Sequence, residues 1–553
     1  MKWRIMIVIA RKAPPPQAEA EETRMADATY DAVIIGAGHN GMALGTYLAR
    51  CGWEVAIFEK RAEEGGGLCT EELTRPGFLH NVHCNYHTLV GVCPVYDDLE
   101  LHDHGLRYVR PPVQMASVFR DGTAMTVHTD LDKTCASIAR FSQKDADTFR
   151  RLYDETTGYL DMILRTLMYS PPISMNDITR ALVTLGVEDR AEFLSVHLRR
   201  TTINQFLDQH FENDKVKAHL AFHAAVAGYS TDRKGLAVSF PLLIGKIENW
   251  HLCVGGSHAL AHALWEAFGQ AGGRVFLKHG VEQILIEDGK AVGVKLEDGG
   301  VIRARHLVAS SIDLEQTFLK MVEPSVLPDG FTSDVEKYPH MDWSFFSVHL
   351  ALNQAPRYTA ADFDPDANAA WVVNVGYESP EEINQHWQDA RAGRLPDPKP
   401  NCAVNSLYDP TDAPEGGYTG LIRQFAPYRL AEGGAEAWDR IAREYGRRCI
   451  DRWREFAPNL DDSAVTSWAT YTPLDIERRI PNMVRGDWMG GLIDVENMLD
   501  KRPFAKLAQY KTPVGGLYMC GATQHPHGFV TFAPAYNALQ VIADDYGLER
   551  WWR

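Results

Sequence analysis

YDAVIIGAGHNGMALGTYLARCGWEVAIFEK, residues 30–60, is the stretch whose reading decides the fold. Tyr30-Asp31-Ala32-Val33-Ile34-Ile35 is an apolar run short enough for a buried strand. Gly36-Ala37-Gly38-His39-Asn40-Gly41 follows, then a small-residue helical pattern carrying Ala43, Leu44 and Leu48. A second apolar run, Val55-Ala56-Ile57-Phe58, ends in Glu59. A lone glycine triplet is a weak signal, but strand, turn, helix, strand and acid in this order are together specific. Gly36 permits the tight turn, Gly38 lets backbone N–H groups approach a pyrophosphate, and Gly41 lets helix and strand pack closely. The helix N-terminus adds partial positive charge for the phosphates, and Glu59 falls where a carboxylate accepts ribose hydroxyls. The stretch predicts a bound dinucleotide, with Gly36, Gly38, His39, Asn40, Gly41 and Glu59 as candidate cofactor-binding residues.

Which dinucleotide is read just downstream. Lys60 and Arg61 lead to a second glycine cluster, Gly65-Gly66-Gly67-Leu68-Cys69-Thr70. A nicotinamide unit does not need one, whereas an extended FAD brings the chain close to its pyrophosphate and flavin. Lys60, Arg61, Gly66, Gly67 and Leu68 therefore join the candidate FAD-binding set. Here the sequence resembles the phytoene desaturase-like FAD-dependent oxidoreductases, in the branch of carotenoid desaturases and carotene ketolases. The residues carrying the resemblance are YDAVIIGAGHNG (30–41), FEKRAEEGGG (58–67), TEELTRPGF (70–78), GGSHALAHAL (255–264), GVEQILIEDGKAVGVKLEDG (280–299) and CGATQHPHGFVTFAPAYNAL (520–539).

The resemblance implies an α/β fold of the two-dinucleotide-binding-domain flavoprotein type, a Rossmann-like FAD domain interleaved with an α+β substrate domain. The FAD domain would take residues 29–105, 250–330 and 475–553, and the substrate domain 106–249 and 331–474. It also implies that Val281 sets its backbone against the adenine and that Ser310 and Ser311 form a small polar pair beside the cofactor. Residues 480–491 and the turn at Gly521 would pass the flavin, and the helix beginning near Ala533 would point its N-terminus at the pyrimidine carbonyls, stabilising an anionic reduced ring. Gly528 belongs to the same turn, and His527 and Phe529 stand where glycine is usual in the family.

Composition narrows the partners. A net charge of −17 over 553 residues argues against nucleic acid and against an anionic membrane surface as the main partner. The nine cysteines show no CxxC pair and no metal-ligand spacing with histidine, and their scatter suits free thiols in a reducing, cytoplasmic compartment. The apolar run Ile5–Ala10 is too short for a signal-peptide core or a membrane span, which leaves only peripheral membrane contact. Pro14-Pro15-Pro16 and Glu19, Glu21 and Glu22 mark residues 1–28 as a mobile extension, with Met25 as a candidate start.

Residues 106–250 read as a helical insertion, with Phe149, Leu152, Tyr153, Leu160 and Leu164 at helical spacing. Strand-like runs at 345–352, 370–375 and 419–425 precede a long amphipathic helix over 435–456, and Pro398 and Pro400 mark a surface loop. Ser257 is a plausible N-cap for the helix after it.

A dehydrogenating flavoenzyme needs a base for the proton lost beside the hydride, a task suited to histidine. The segment FLHNVHCNYH (78–87) is rich in candidates, and on a helix His83 and His87 would share one face. The candidate catalytic residues are His83, Tyr86 and His87, with His525 and His527 from the last segment. Only one full dinucleotide unit is visible, so reoxidation by oxygen or a quinone is expected. Three readings stay open: an FAD-dependent dehydrogenase or desaturase of an unsaturated or alicyclic organic substrate, a redox-neutral isomerase or hydratase, and a flavin-fold scaffold.

Overall fold

The computed structural model describes residues 28–184 and 198–552. The expected extension, with Met25, lies outside the described residues up to position 27. In chain order the chain builds β1 (Thr29–Ile35), α1 (His39–Arg50), β2 (Val55–Glu59), β3 (Val113–Val118) and β4 (Ala124–His128). Helices α2 (Gln143–Met168), α3 (Asp214–Val226) and α4 (His258–Gln270) precede β5 (Arg274–Leu277), β6 (Val281–Glu287), β7 (Lys290–Leu296) and β8 (Val301–Ser310). Then come β9 (Ser344–Leu352), β10 (Val372–Val375), β11 (Asn401–Ala403) and β12 (Tyr418–Ala426). The last are α5 (Trp438–Phe456), β13 (Val465–Tyr471), β14 (Leu517–Met519) and α6 (Ala533–Tyr546).

The first sheet has the order β5-β2-β1-β8-β7-β6, with β14 also on β8. Strands β5, β2, β1, β8 and β14 are parallel, and Ala32–Ile35 of β1 and Leu307–Ser310 of β8 are buried on both faces, as a sheet covered by helices requires. Ile35 pairs with Phe58 on one side and Ser310 on the other, and Ser310 with Met519. That register brings Gly36, Glu59, Ser311 and Gly521 to one carboxyl edge, where open α/β sheets bind ligands. Helix α1 lies tight on the sheet. A Cβ on Gly45 would stand 3.0 Å from both Ile57 Cδ1 and Phe268 Cε2 of α4.

The second sheet has the order β13-β9-β12-β11-β10-β3-β4 and is antiparallel except for β10 with β3. Its two faces follow the period-two alternation of strands. Phe346, Val348, Leu350 and Ile422 pack outward on Trp438, Tyr445, Ile450 and Trp453 of α5. Phe345, Ser347, Arg423 and Phe425 point the other way, with Phe345 directly opposite Phe425. No described helix is long and apolar enough to cross a membrane.

Four expectations are corrected. The stretch 106–249 is not purely helical, because the hairpin β3–β4 joins the second sheet from within it. Both strands are fully buried, and the mixed run of β3, Val113–Val118, lacks the regular polar alternation that marks a half-exposed strand. Pro398 and Pro400 are buried rather than on a surface loop, because Lys399 N donates to Gln424 Oε1 and ties this segment to β12. Ser257 sits at the start of α4 without capping it, its hydroxyl lying 3.4 Å from Cys69 O. Residues 78–88 form no helix, only short strand pairings at His80–Asn81 and His87–Thr88, so His83 and His87 do not share a helical face.

Candidate active site

The first glycine turn is braced from behind. Gly36 has φ +93°, a conformation glycine adopts without strain, and Ser311 Oγ donates to Ile35 O at 2.8 Å and Gly36 O at 2.9 Å. A Cβ on Gly41 would stand 2.1 Å from Gly36 O, so this position serves packing. At Gly38 a Cβ would meet nothing within 4 Å, and Gly38 heads α1 without a side-chain cap. The orphan N–H groups of the first helical turn therefore face open volume. Glu59 Oε2 accepts from Ala37 N and Oε1 from Arg61 N, both at 2.9 Å, which holds its carboxylate at the sheet edge. The second glycine cluster folds back on the first, with Gly65 N donating to Ala37 O at 2.8 Å and Arg61 Nη1 to Gly66 O at 3.0 Å.

A cavity of about 650 Å³ runs from Glu59, Val281 and Lys320 past both glycine clusters to Phe345, Arg423, Trp488 and Phe529. Several polar atoms in its wall are buried without a partner: Asn40 Oδ1, His83 Nε2, Asp313 Oδ2, Trp488 Nε1 and Thr523 Oγ1. Buried polar groups are normally satisfied, so unpartnered atoms among the residues of this wall fit a polar ligand. The uncapped helix start, the free space over Gly38 and the acid at the strand end fit an extended dinucleotide.

Most residues expected to hold the cofactor line this cavity: Gly36, Gly38, His39, Asn40, Glu59, Lys60, Arg61, Gly66, Gly67, Leu68, Val281, Gly528 and Phe529. Three lie behind the wall. Gly41 packs α1 on the turn, Ser310 Oγ meets Thr317 Oγ1 at 2.7 Å, and a Cβ on Gly521 would stand 2.4 Å from Ser311 O. Ser311, not Ser310, is the member of the pair that reaches the cavity.

The expected catalytic set divides in the same way. His83 and Tyr86 line the cavity. Burial, with Arg61 and Arg423 adding to it, pulls the His83 imidazole down to about 3, so it is neutral at working pH. Tyr86 gives its proton to Asn401 Oδ1 and burial pushes its phenol up to about 12. His87 turns away, with Nδ1 2.6 Å from Tyr108 Oη. His525 Nε2 meets Leu167 O at 2.6 Å, and His527 Nδ1 meets Gly528 O at 2.9 Å. These three are absent from the cavity wall because their segments are extended or turned, and packing rather than helical spacing aims the rings. Phe529 holds φ +71°, a left-handed conformation that strains a bulky side chain. Its ring stands edge-on to Trp488 at 5.1 Å.

Residues not singled out from sequence complete the wall. Trp488 lies in the glycine-rich segment 480–491, and Asp313, pushed up to about 7 by burial, follows the serine pair. Arg423 interrupts the apolar run of β12, which is itself the sequence signal for it. Arg502 acts from behind. Fully buried, it donates to the carbonyls of Met489 (3.0 Å), Gly490 (2.9 Å) and Ala522 (3.3 Å), tying together the two loops beside the cavity. Arg502→Met is expected to cost ~3–5 kcal/mol, because those carbonyls lose a charged donor. An unchanged denaturant midpoint would contradict that role.

Residues 41–356, more than half of the chain, match the family described as flavin containing amine oxidoreductase. The chain is 34% identical over 535 residues to a limonene dehydrogenase polypeptide of Castellaniella defragrans, covering 94% of this chain and 96% of that protein. It is 23% identical to a neurosporene-forming phytoene desaturase of Rhodobacter capsulatus over 90% of each, in keeping with the resemblance read from the motifs. Cyclohexylamine oxidase from Brevibacterium oxydans shares the fold, with a TM-score of 0.58, 15% identity, and coverage of 94% of this chain and 99% of that one. A family match over residues 41–356, joined to a relative 34% identical along nearly the whole chain and laid over a cavity shaped for an extended dinucleotide, places this chain in the flavin-containing amine oxidoreductase family as an FAD-dependent oxidoreductase.

Proposed function

We propose that the protein dehydrogenates a small unsaturated or alicyclic organic molecule held between the flavin and the inner face of the second sheet. The observation that carries this reading is the continuity of the cavity, which joins the nucleotide edge of the first sheet to the wall of Phe345, Trp488 and Phe529. Its 650 Å³ falls within the usual range for small-molecule sites. The limonene named for the Castellaniella relative supports a ring-sized substrate over a long polyene. When bound, FAD supplies a two-electron acceptor for a C–H bond.

The chain's own residues position the substrate and deal with the proton. Phe345, Trp488 and Phe529 form an apolar clamp that excludes water and orients the ring. His83 lines the cavity as a neutral imidazole, and because burial and the Arg61 and Arg423 charges make it a weak base, it can pass on but not hold the proton lost from the adjacent carbon. Reoxidation falls to oxygen or a quinone. All nine cysteines are free thiols, which supports a reducing cytoplasm as the setting.

Anaerobic mixing of the yellow holoprotein with cyclic monoterpenes and cyclohexenes, and with their oxygenated derivatives, tests the reading. Bleaching of the visible flavin band, reversed by oxygen or a quinone, is expected. Product formed without bleaching would instead mark redox-neutral chemistry, and rapid bleaching by NADPH alone would overturn the assigned acceptor.

A further inference from the structure

The inner face of the second sheet presents a cation to the cavity. Arg423 is 7% exposed and lines the wall. Its Nη2 donates to His83 O at 2.7 Å, and the guanidinium lies over the rings of Tyr86 at 5.4 Å and Phe345 at 5.5 Å. Its cross-strand neighbours, Ser347 and Asn401, are neutral, and Asn401 Oδ1 is taken by the Tyr86 phenol. No carboxylate among the described residues forms an ion pair with it. Of the acids on the cavity wall, Asp487 lies with His340 at 3.4 Å, Glu297 with Lys60 and Glu282 with Lys295 at 2.7 Å, and Glu59 with two backbone N–H groups, while Asp313 takes Gln316 N at 3.0 Å on one oxygen and forms no ion pair with Arg423.

A guanidinium carries five N–H donors in a planar fork that matches an oxyanion. Burying that charge without an anion is costly, and two aromatic faces offset only part of the cost. We propose that Arg423 is a specificity-determining residue that binds a carboxylate of the substrate, so that the molecule dehydrogenated is an unsaturated or alicyclic carboxylate and not a bare hydrocarbon. The inference rests on the reading that substrate occupies the space between flavin and second sheet. The fork would anchor one end of the ring while Phe345 and Trp488 hold its apolar body. One carbon pair is then presented reproducibly to the flavin and to His83.

The test uses the holoprotein and a matched pair of probes, cyclohex-3-ene-1-carboxylate and its neutral carboxamide, each titrated against the visible flavin spectrum. The acid is expected to bind ~10–100-fold more tightly than the amide, the range for a charge-assisted hydrogen bond. Arg423→Lys, which keeps the charge and loses the fork, should retain part of that preference, and Arg423→Met should reduce it to within about threefold. Equal binding of acid and amide to the unsubstituted protein overturns the proposal without reference to any variant. So does an Arg423→Lys protein whose ligand-free flavin spectrum shifts while the acid preference stays whole, since that outcome makes the flavin the partner of the cation. Should cyclic hydrocarbons bleach the flavin while the acid neither binds nor reacts, dehydrogenation stands and the anion site falls. Should the acid bind with an Arg423-dependent preference and no substrate bleach the flavin, the anion site stands and dehydrogenation falls.

Discussion

Gly41→Ala is expected to unfold or severely destabilise the protein, whereas Gly38→Ala is expected to leave the fold intact and strip it of flavin. The two glycines are three residues apart and differ in what surrounds them. A methyl on residue 41 would overlap Gly36 O at 2.1 Å, and that carbonyl is held in place by Ser311 Oγ at 2.9 Å. Neither backbone can yield without lifting α1 off the sheet, a cost of at least ~3 kcal/mol for overpacking. A methyl on residue 38 meets no protein atom within 4 Å, and Gly38 has φ −71° and ψ 170°, which alanine adopts freely. The space it would fill is the approach of the pyrophosphate to the backbone. Thermal melts of the apoproteins together with flavin-to-protein ratios after dialysis check both halves. A Gly38→Ala protein as yellow as its parent would sink the argument.

Stability is expected to collapse on mild acidification. Burial pulls His219 down to about 3 and His223 and His386 down to about 4, all three outside the cavity wall and neutral in the native state. In the unfolded chain these rings titrate near 6.5, so below that pH the unfolded state binds more protons and gains on the native one. The contribution is whole above pH ~6.5 and drains away as pH falls toward 4. At about pH 4.5 each ring costs roughly 2–3 kcal/mol, against a total of ~5–15 kcal/mol for a typical domain. His340 runs the opposite way. Although burial works against its charge, Asp487 and Glu315 hold the imidazolium and raise it to about 9. Its contribution is complete below pH ~6.5 and is lost as pH rises through 9. Melting temperatures at constant ionic strength should therefore peak near pH 7–8 and fall steeply on the acid side. A flat profile down to pH 4.5 would show that these rings are not buried as described.

The cofactor half of the site was legible because its signals are contiguous. Strand, turn, helix, strand and acid fall between Tyr30 and Glu59, and each residue type answers to one local demand of a pyrophosphate or a ribose. The long helix over 438–456 was equally plain, since its buried tryptophans recur at helical spacing. The hairpin β3–β4 was not, because β3, buried on both faces, carries no regular alternation and β4 only the short one from Met125 to His128.

Local pattern, then, determined the dinucleotide unit, the FAD and the glycine cradle, since a strand-turn-helix unit is built from neighbours in the chain, and the family resemblance of the motifs supplied the fold class. Tertiary packing alone decided that His83 lines the cavity while His87 and His525 turn into the core and His527 folds back on Gly528 O, and that Ser311 rather than Ser310 braces the turn. It also brought Arg423 to His83 across 340 residues. The reason is physical: in extended and irregular segments a side chain's direction is set by what packs against it, and those partners come from distant parts of the sequence.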